Sequence, residues 1–431
     1  MALPDLSRDL GLSAEAAGWA IAGYAIPFGG LMLLGGRSAD LFGSRRVFLL
    51  GLALFTAASF AAGIAPNAST LIGARVLQGV GAAMLSPAAL ATLTTRFTGR
   101  NRHRALGVWA AIGGIGAAAG VLLGGLLTDG PGWRWIFYIN VPVGMLIAIV
   151  VPLLVPAVPA NAGGRRLDIV GGAIVTVAIA SLTYGIMNAG PAADPVAWLV
   201  PLVVAIGLVI AFAVVERRVA DPLIDLSVFG RQPIRAGIFV MLLASALLIG
   251  GFFLLSFVLQ GRMLWSPLIT GLAFLPVALG TLVGAHLGGT FVSRVGGRAI
   301  ASVAFAVAAA GFGTAALQLD TVALLIAGVS IAGFGLGAAF VASTTTALSH
   351  VAHHEAGVIS GLINTFHELG GALGVAAMSA LAASSLMTPT FDGGFALGLA
   401  AWAVVALASA IVAALLVPPG KPAADAPRFA H

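Results

Sequence analysis

The chain is poor in charge, has a single lysine and has no cysteine at all. Charged residues make up 8% of its 431 positions, whereas soluble proteins carry about a quarter. So few charges cannot cover a water-facing surface, which excludes a soluble enzyme. The absence of cysteine excludes disulfides and thiol chemistry. The single lysine, Lys421, does not complete the glycine pattern of a nucleotide-binding loop, so no such loop supplies energy from ATP.

Long apolar segments take up most of the chain, in line with its mean hydropathy of +1.07. A membrane-spanning helix needs about 20 mostly apolar residues. The pattern therefore predicts an all-α polytopic protein in a lipid bilayer. Thirteen segments of sufficient length are predicted to be transmembrane helices: 16–35, 47–65, 70–93, 106–127, 136–156, 169–188, 196–215, 236–260, 269–291, 300–318, 321–347, 357–385 and 394–417.

The basic residues alternate between the connections of these helices. Seventeen of the 21 lie in every second connection, three lie in the others, and Arg75 lies inside a helix. Because basic loops stay on the cytoplasmic side, this pattern predicts a multi-pass protein of the cell membrane with its N-terminus outside and its C-terminus in the cytoplasm. It also argues against a nucleic-acid partner, since the charges are scattered over short loops that face anionic lipid.

One loop pattern occurs twice, once in each half of the chain. Residues 36–45 and 289–298 both read Gly-x-x-x-(Asp/Ser)-x-x-Gly-x-Arg, and repeated halves are typical of secondary transporters. One predicted helix precedes the first copy in its half, and two precede the second copy. We therefore expect a bundle at 1–156 that lacks its first helix, a two-helix insert and linker at 157–235, a six-helix bundle at 236–417 and a cytoplasmic tail at 418–431.

Further motifs accompany this loop. They are Leu71–Gly79 with its Arg-x-x-Gln-Gly, Gly116–Gly125, Trp133–Phe137, Asn140-Val141-Pro142, Asp221–Asp225 and Ser266-Pro267. Together they resemble the major facilitator superfamily, in particular its fourteen-helix drug:proton antiporter branch, here without the first helix. The chain departs from that branch at Val121, where proline is usual, and at Ser293, where aspartate is usual.

The resemblance implies a function. It indicates a secondary transporter, not an enzyme, that exports hydrophobic or cationic compounds in exchange for protons by alternating access, a mode associated with multidrug efflux and antibiotic resistance. No cofactor is expected. Two alternatives stay open: an exporter of one specific endogenous metabolite, and a truncated remnant that does not transport.

The first loop copy contains the residues that the family uses as a cytoplasmic latch. The alternative interpretation is a positively charged anchor that only fixes topology. Asp40 favours the latch because a carboxylate adds nothing to a positive anchor. The predicted latch residues are Gly36, Asp40, Gly43, Arg45 and Arg46.

Arg75 lies inside the helix predicted at 70–93, and Gln78 shares its face three residues later. A charge inside the bilayer costs free energy. The side chain of Arg75 is therefore expected to face a cavity or a partner, or to extend so that its guanidinium reaches the outer membrane interface. The resemblance favours the first reading and implies a role for both residues in proton coupling.

A second polar cluster lies near the middle of the segment 357–385. Asn364, His367 and Glu368 are spaced to share one helix face. They are predicted to form either a protonatable or cation-binding transport site or a polar clamp between helices. The run His-Glu-Leu-Gly-Gly lacks the second histidine of a zinc site, so no metal is expected.

The segment 106–127 contains a ladder of small residues. Gly116, Gly120 and Gly124 recur every fourth residue and form one flat face, next to Gly125. Such a face allows helices to approach closely. The resemblance implies that this antiporter stretch also shapes the exchange pathway.

Overall fold

The computed structural model describes residues 2–97, 99–156, 167–189, 194–349, 351, 355–387 and 393–420. The residues that the sequence assigns to the end of the tail, 421–431, lie outside this part of the chain. All regular structure within the described ranges is helical.

Sixteen α-helices are seen in the described residues. They are α1 Leu3–Leu10, α2 Ala14–Phe42, α3 Ser44–Gly63, α4 Ala68–Arg96, α5 Gly99–Asp129, α6 Trp135–Tyr138, α7 Asn140–Leu154, α8 Ile169–Met187, α9 Pro195–Glu216, α10 Gln232–Phe257, α11 Pro267–Val295, α12 Gly297–Leu317, α13 Val322–Leu348, α14 Ala356–Leu381, α15 Ala383–Met387 and α16 Gly393–Leu416. A 3-10 turn at Leu226–Gly230 and a π-helical turn at Val258–Arg262 flank α10.

The predicted all-α membrane fold is confirmed, and each of the thirteen predicted segments is largely helical. Eleven helices in the described part are long and apolar enough to cross a membrane. Two predicted spans are not among them. In α5 the described apolar stretch, Ala119–Asp129, is shorter than a membrane span. Helix α14 contains the polar residues Asn364, His367 and Glu368, which lower its hydropathy.

Side-chain caps explain where several helices begin. Asn67 accepts a hydrogen bond from the backbone N–H of Thr70 at 2.9 Å, and Asp168 accepts one from Gly171 at 2.8 Å. Ser266 caps α11 in the same way and is followed by Pro267 in the first turn. These contacts satisfy N–H groups that a helix start leaves without partners.

The helices form two compact units whose members are not consecutive in the chain. Of the described residues, unit one contains those within 1–4, 111–130 and 227–431, and unit two contains those within 5–110 and 131–226. In unit one α13 packs on α11 and α12, and α10 packs on α14; in unit two α4 packs on α2 and α3, and α8 packs on α2 and α9. The two-helix insert therefore belongs to unit two, while most of α5 groups with the later helices.

Helix α1 is tied to the turn before α6 within unit two. Asp9 accepts hydrogen bonds from Trp133 Nε1 at 3.0 Å and from Arg134 Nη1 at 2.7 Å. The hydrogen bond from Arg134, followed by that from Trp133, holds the pKa of the Asp9 carboxyl below its usual value. This tether is therefore ionised at neutral pH.

Candidate functional site

The two loop copies share one backbone conformation. Gly43 ends α2 and begins α3 with a φ of +89°, and Gly296 ends α11 and begins α12 with a φ of +87°. L side chains rarely adopt this region, so the second glycine of each copy is required by the turn itself. The repeat read from the sequence is thus also a repeat of structure.

The arginine of each copy has the same kind of partner within its own unit. Arg45 Nη1 donates to the carbonyl oxygen of Val155 at 2.9 Å, and Arg298 Nε donates to that of Val417 at 2.7 Å. Val155 follows the end of α7 and Val417 follows the end of α16. A positive group at carbonyls left open by a helix end is favourable. The sequence did not predict this contact, although the repeat could have indicated it.

We expect Arg45→Ala to destabilise the protein more than Arg46→Ala. Both changes remove one positive charge from the same loop, so both affect topology alike, but Arg46 is exposed while Arg45 is half-buried. A hydrogen bond that involves a charged group contributes about 1.5–3 kcal/mol. Thermal unfolding of the purified variants in detergent measures the difference, and equal midpoints would contradict a structural role for the contact with Val155.

The rest of the first loop copy faces the segment that follows α9. Arg37 Nη2 donates to the carbonyl oxygen of Pro222 at 3.0 Å, within the Asp221–Asp225 motif. Gly43 is buried, whereas Asp40 and Arg46 are exposed. At Gly36, an added Cβ would lie in ordinary contact with Pro87, 3.7 Å away. The loop therefore joins two sequence motifs that lie far apart in the chain.

Arg75 is the centre of a polar network in unit two. Its Nε donates to the carbonyl oxygen of Ala20 at 2.9 Å, and its Nη1 donates to Gln78 Oε1 at 2.8 Å. Gln78 is buried and donates in turn to Ser59 Oγ at 2.6 Å. The network links α4 to α2 through Ala20 and to α3 through Ser59, two partners that the sequence did not predict.

Aromatic rings complete the surroundings of this arginine. The guanidinium carbon lies 4.4 Å from the ring centroid of Tyr24 and 5.9 Å from that of Phe137. Cation–π contacts of this kind stabilise a charge removed from water. Within the described residues, Arg75 forms no ion pair with a carboxylate. Its charge is instead held by a carbonyl, an amide and two rings.

The second polar cluster lies on α14 in unit one. His367 and Glu368 are half-buried and Asn364 is exposed. The backbone carbonyl of His367 accepts a hydrogen bond from Ser245 Oγ at 2.6 Å, and its ring stands edge-on to Phe340 at 5.4 Å. For the Glu368 carboxyl, no hydrogen bond or ion pair is found among the described residues.

The glycines of α5 have different surroundings. A Cβ added to Gly125 would meet the carbonyl oxygen of Pro267 at 2.7 Å, so α5 and α11 approach closely at this point. At Gly116 and Gly120 an added Cβ would meet no atom of the described residues within 4 Å, and Gly124 is half-buried. Among the described residues, the close contact of the ladder is therefore at Gly125.

The described residues contain no group of three or more His, Cys, Asp or Glu side chains that could hold a metal ion. The polar chemistry of the described spans is instead that of an arginine network in unit two and a carboxylate on α14 in unit one.

The sequence matches known transporters over most of its length. The family model of the Major Facilitator Superfamily matches residues 1–375. Puromycin resistance protein pur8 of Streptomyces alboniger is 39% identical over 403 residues, which cover 91% of this chain and 80% of that protein. Cephamycin export protein CmcT of Amycolatopsis lactamdurans is 37% identical, covering 89% and 81%. Lincomycin resistance protein of Streptomyces lincolnensis is 33% identical, covering 98% and 87%.

Solved structures share the fold at low sequence identity. The POT family transporter PepTSo superimposes with a TM-score of 0.65 at 17% identity, covering 96% of this chain and 93% of its own. The human organic anion transporter MFSD10 superimposes with a TM-score of 0.59 at 15% identity, covering 95% and 88%. Fold, family match and related sequences agree: this chain belongs to the major facilitator superfamily and is a multi-span membrane transporter, not an enzyme.

Proposed function

We propose that this protein exports small hydrophobic or cationic compounds, among them antibiotics, in exchange for protons. The observation that supports export most strongly is its 33–39% identity, over 89–98% of the chain, to proteins named for antibiotic resistance or export. Related secondary transporters work by alternating access, in which a substrate site opens to one side of the membrane at a time.

Proton coupling is proposed for two regions. Glu368 supplies a titratable carboxyl that no described donor neutralises, and a carboxyl in a span can exchange a proton for a cation. Arg75 supplies a fixed positive charge on α4, which is held by its hydrogen bonds to Gln78 and to the carbonyl oxygen of Ala20. Asn364 and His367 lie on α14 with Glu368. We propose that they bind the substrate or influence the protonation of the Glu368 carboxyl.

Efflux from cells tests this proposal. Cells that express the protein are loaded with a cationic dye, a neutral dye, puromycin or lincomycin, and the loss of each compound is followed with and without a proton uncoupler. We expect faster efflux than in cells without the protein, and we expect the uncoupler to abolish the difference. Efflux that persists at full rate with the uncoupler would contradict proton exchange.

The same assay separates a multidrug exporter from an exporter of one compound. Three similar proteins are each named for a single antibiotic, puromycin, cephamycin or lincomycin, while Multidrug resistance protein Stp of Mycobacterium tuberculosis is 31% identical. Export of several unrelated compounds supports the multidrug proposal. Export of only one member of the panel favours the specific exporter.

We further propose that the loop Gly36–Arg46 acts as a cytoplasmic latch, in which Asp40 stabilises one of the two transport states. Asp40→Asn is then expected to lower the transport rate several-fold at an unchanged protein level, because loss of a contact made in one state shifts the equilibrium between states. Transport per molecule and protein level in the membrane are measured together. A parallel fall of both would indicate a folding role instead.

A further inference from the structure

Two carboxyl groups meet in unit two, away from the residues assigned to transport. Asp168 is the cap of α8 and Glu216 is the last residue of α9. Both are buried, with 7% and 4% of their surface exposed. Their side chains lie within hydrogen-bonding reach of each other. Two acidic side chains so close together and so little exposed require a physical explanation.

One oxygen of each carboxyl is already occupied by a backbone N–H. Asp168 Oδ1 accepts from Gly171 at 2.8 Å, and Glu216 Oε2 accepts from Ile224 at 3.2 Å. Ile224 and the preceding Leu223 are buried. Glu216 therefore holds the start of the segment that leads from α9 to α10, and Asp168 holds the first turn of α8.

The other two oxygens have no hydrogen-bond partner and face the same space. Asp168 Oδ2 and Glu216 Oε1 are both buried and unpartnered. A Cβ built on Gly171 would lie closer than 3.0 Å to each of them, so both oxygens converge over the bare backbone of that glycine. Two ionised carboxylates offer acceptors only, so the free oxygens cannot bond to each other without a proton or a cation between them.

No described charged group neutralises these two oxygens. Arg37 donates to the carbonyl oxygen of Pro222, and Arg217 and Arg218, which directly follow Glu216, are exposed. Since the two oxygens have no hydrogen-bond partner, they receive no hydrogen bond from the charged residues at the C-terminal end of α2 and in the segment that follows α9, which are Arg37, Asp40, Arg217, Arg218, Asp221 and Asp225. Arg165 and Arg166, which precede Asp168 in sequence, lie outside the described residues.

We propose that Asp168 and Glu216 bind one shared proton and so form a clasp between the start of α8, the end of α9 and the segment that leads to α10. One carboxyl takes a proton from solvent and donates its O–H to the free oxygen of the other, leaving a single negative charge on the pair. The two remaining oxygens keep the N–H groups of Gly171 and Ile224. When the proton leaves, the two carboxylates repel each other and Glu216 releases Ile224. This site does not depend on which compound the protein transports.

Amide variants test the shared proton. In Glu216→Gln the amide N–H replaces the acid O–H, and the amide oxygen still accepts from Ile224. Asp168→Asn makes the same exchange from the other side and still caps α8. Glu216→Ala removes the contact altogether. Glu15→Gln is the matched control, because it makes the same chemical change at the first turn of α2, outside the clasp.

Thermal unfolding in detergent at pH 6 and pH 9 provides the readout. The wild type and Glu15→Gln are expected to lose about 3 °C or more at the higher pH, since about 1 kcal/mol shifts the midpoint of a large domain by that amount. Glu216→Gln and Asp168→Asn should keep their midpoint across this range, and Glu216→Ala should be less stable at both pH values. In infrared difference spectra, wild type minus Glu216→Gln should show the carbonyl stretch of a protonated carboxylic acid at pH 6.

Three outcomes would overturn the proposal. If Glu216→Gln unfolds at a lower temperature than the wild type at pH 6, both carboxyls are ionised in the wild type and a basic group neutralises them. If the wild type is stabilised by sodium, magnesium or calcium chloride relative to choline chloride at equal ionic strength, and Glu216→Gln is not, the pair binds a cation. If the amide variants keep the full pH dependence of the wild type, the clasp holds no titrating proton.

Discussion

Glu368→Gln is expected to abolish export of a cationic dye against its gradient while export of a neutral dye continues. A glutamine at this position resembles the protonated acid and can neither release a proton nor balance a positive charge. The carboxyl is half-buried on α14, and no hydrogen bond to it is found in the described part of the chain. We expect the export rate of the cation to fall about tenfold or more, within the range of coupling free energies between two sites.

The measurement follows both dyes over a range of external pH, at matched protein levels. Glu15→Gln serves as control because it removes a carboxyl by the same substitution at the first turn of α2. Unchanged export of both dyes with an unchanged pH profile would reject a coupling role for Glu368. If export of both dyes falls equally and the amount of folded protein falls as well, the polar-clamp interpretation of Glu368 is favoured.

Gly284→Ala is expected to prevent α11 and α13 from packing. A Cβ at this position would overlap the backbone carbonyl oxygen of Phe334 and would lie 2.7 Å from its carbonyl carbon. The atoms it meets belong to backbone, so one helix has to shift relative to the other. Overpacking of a filled interior costs about 1–3 kcal/mol, and displacement of a helix adds to that cost.

Gly207→Ala is the matched control for this variant. Gly207 lies in α9, where an added Cβ would meet no atom of the described residues within 4 Å. Alanine favours a helix over glycine by about 1 kcal/mol, so this control should be as stable as the wild type or more stable. Yield of monodisperse protein and the unfolding midpoint in detergent are compared. Similar values for both variants would show that the α11–α13 contact tolerates a Cβ.

Much of the fold was predictable because its causes are local. Most of the predicted spans are long apolar runs, and a bilayer requires such a run to be helical so that its backbone groups bond internally. The turn at Gly43 and its copy at Gly296 were also predictable, since a repeated glycine marks a backbone conformation that other residues avoid. The 357–385 segment was predicted as a span in spite of its polar residues, and α14 fills most of it.

The residues of the candidate site were predictable in type but not in partner. A charge inside an apolar run is visible in the sequence, which singled out Arg75 and Glu368. That Arg75 lies over Tyr24 and donates to Ala20 was not visible, because those groups come from another helix. The role of Arg45 at the end of α7 was missed for the same reason.

The sequence alone determined that this chain is a multi-span helical transporter of the major facilitator type, through its apolar runs, its repeated loop and its family motifs. Only the tertiary structure decided which helices pack together, which glycines are in close contact and which buried carboxyls meet. In lipid every apolar face is equally soluble, so hydrophobicity cannot select helix partners. Partners are selected by shape and by polar groups from distant parts of the chain, such as Asp168 and Glu216, and these are brought together only when the helices have packed.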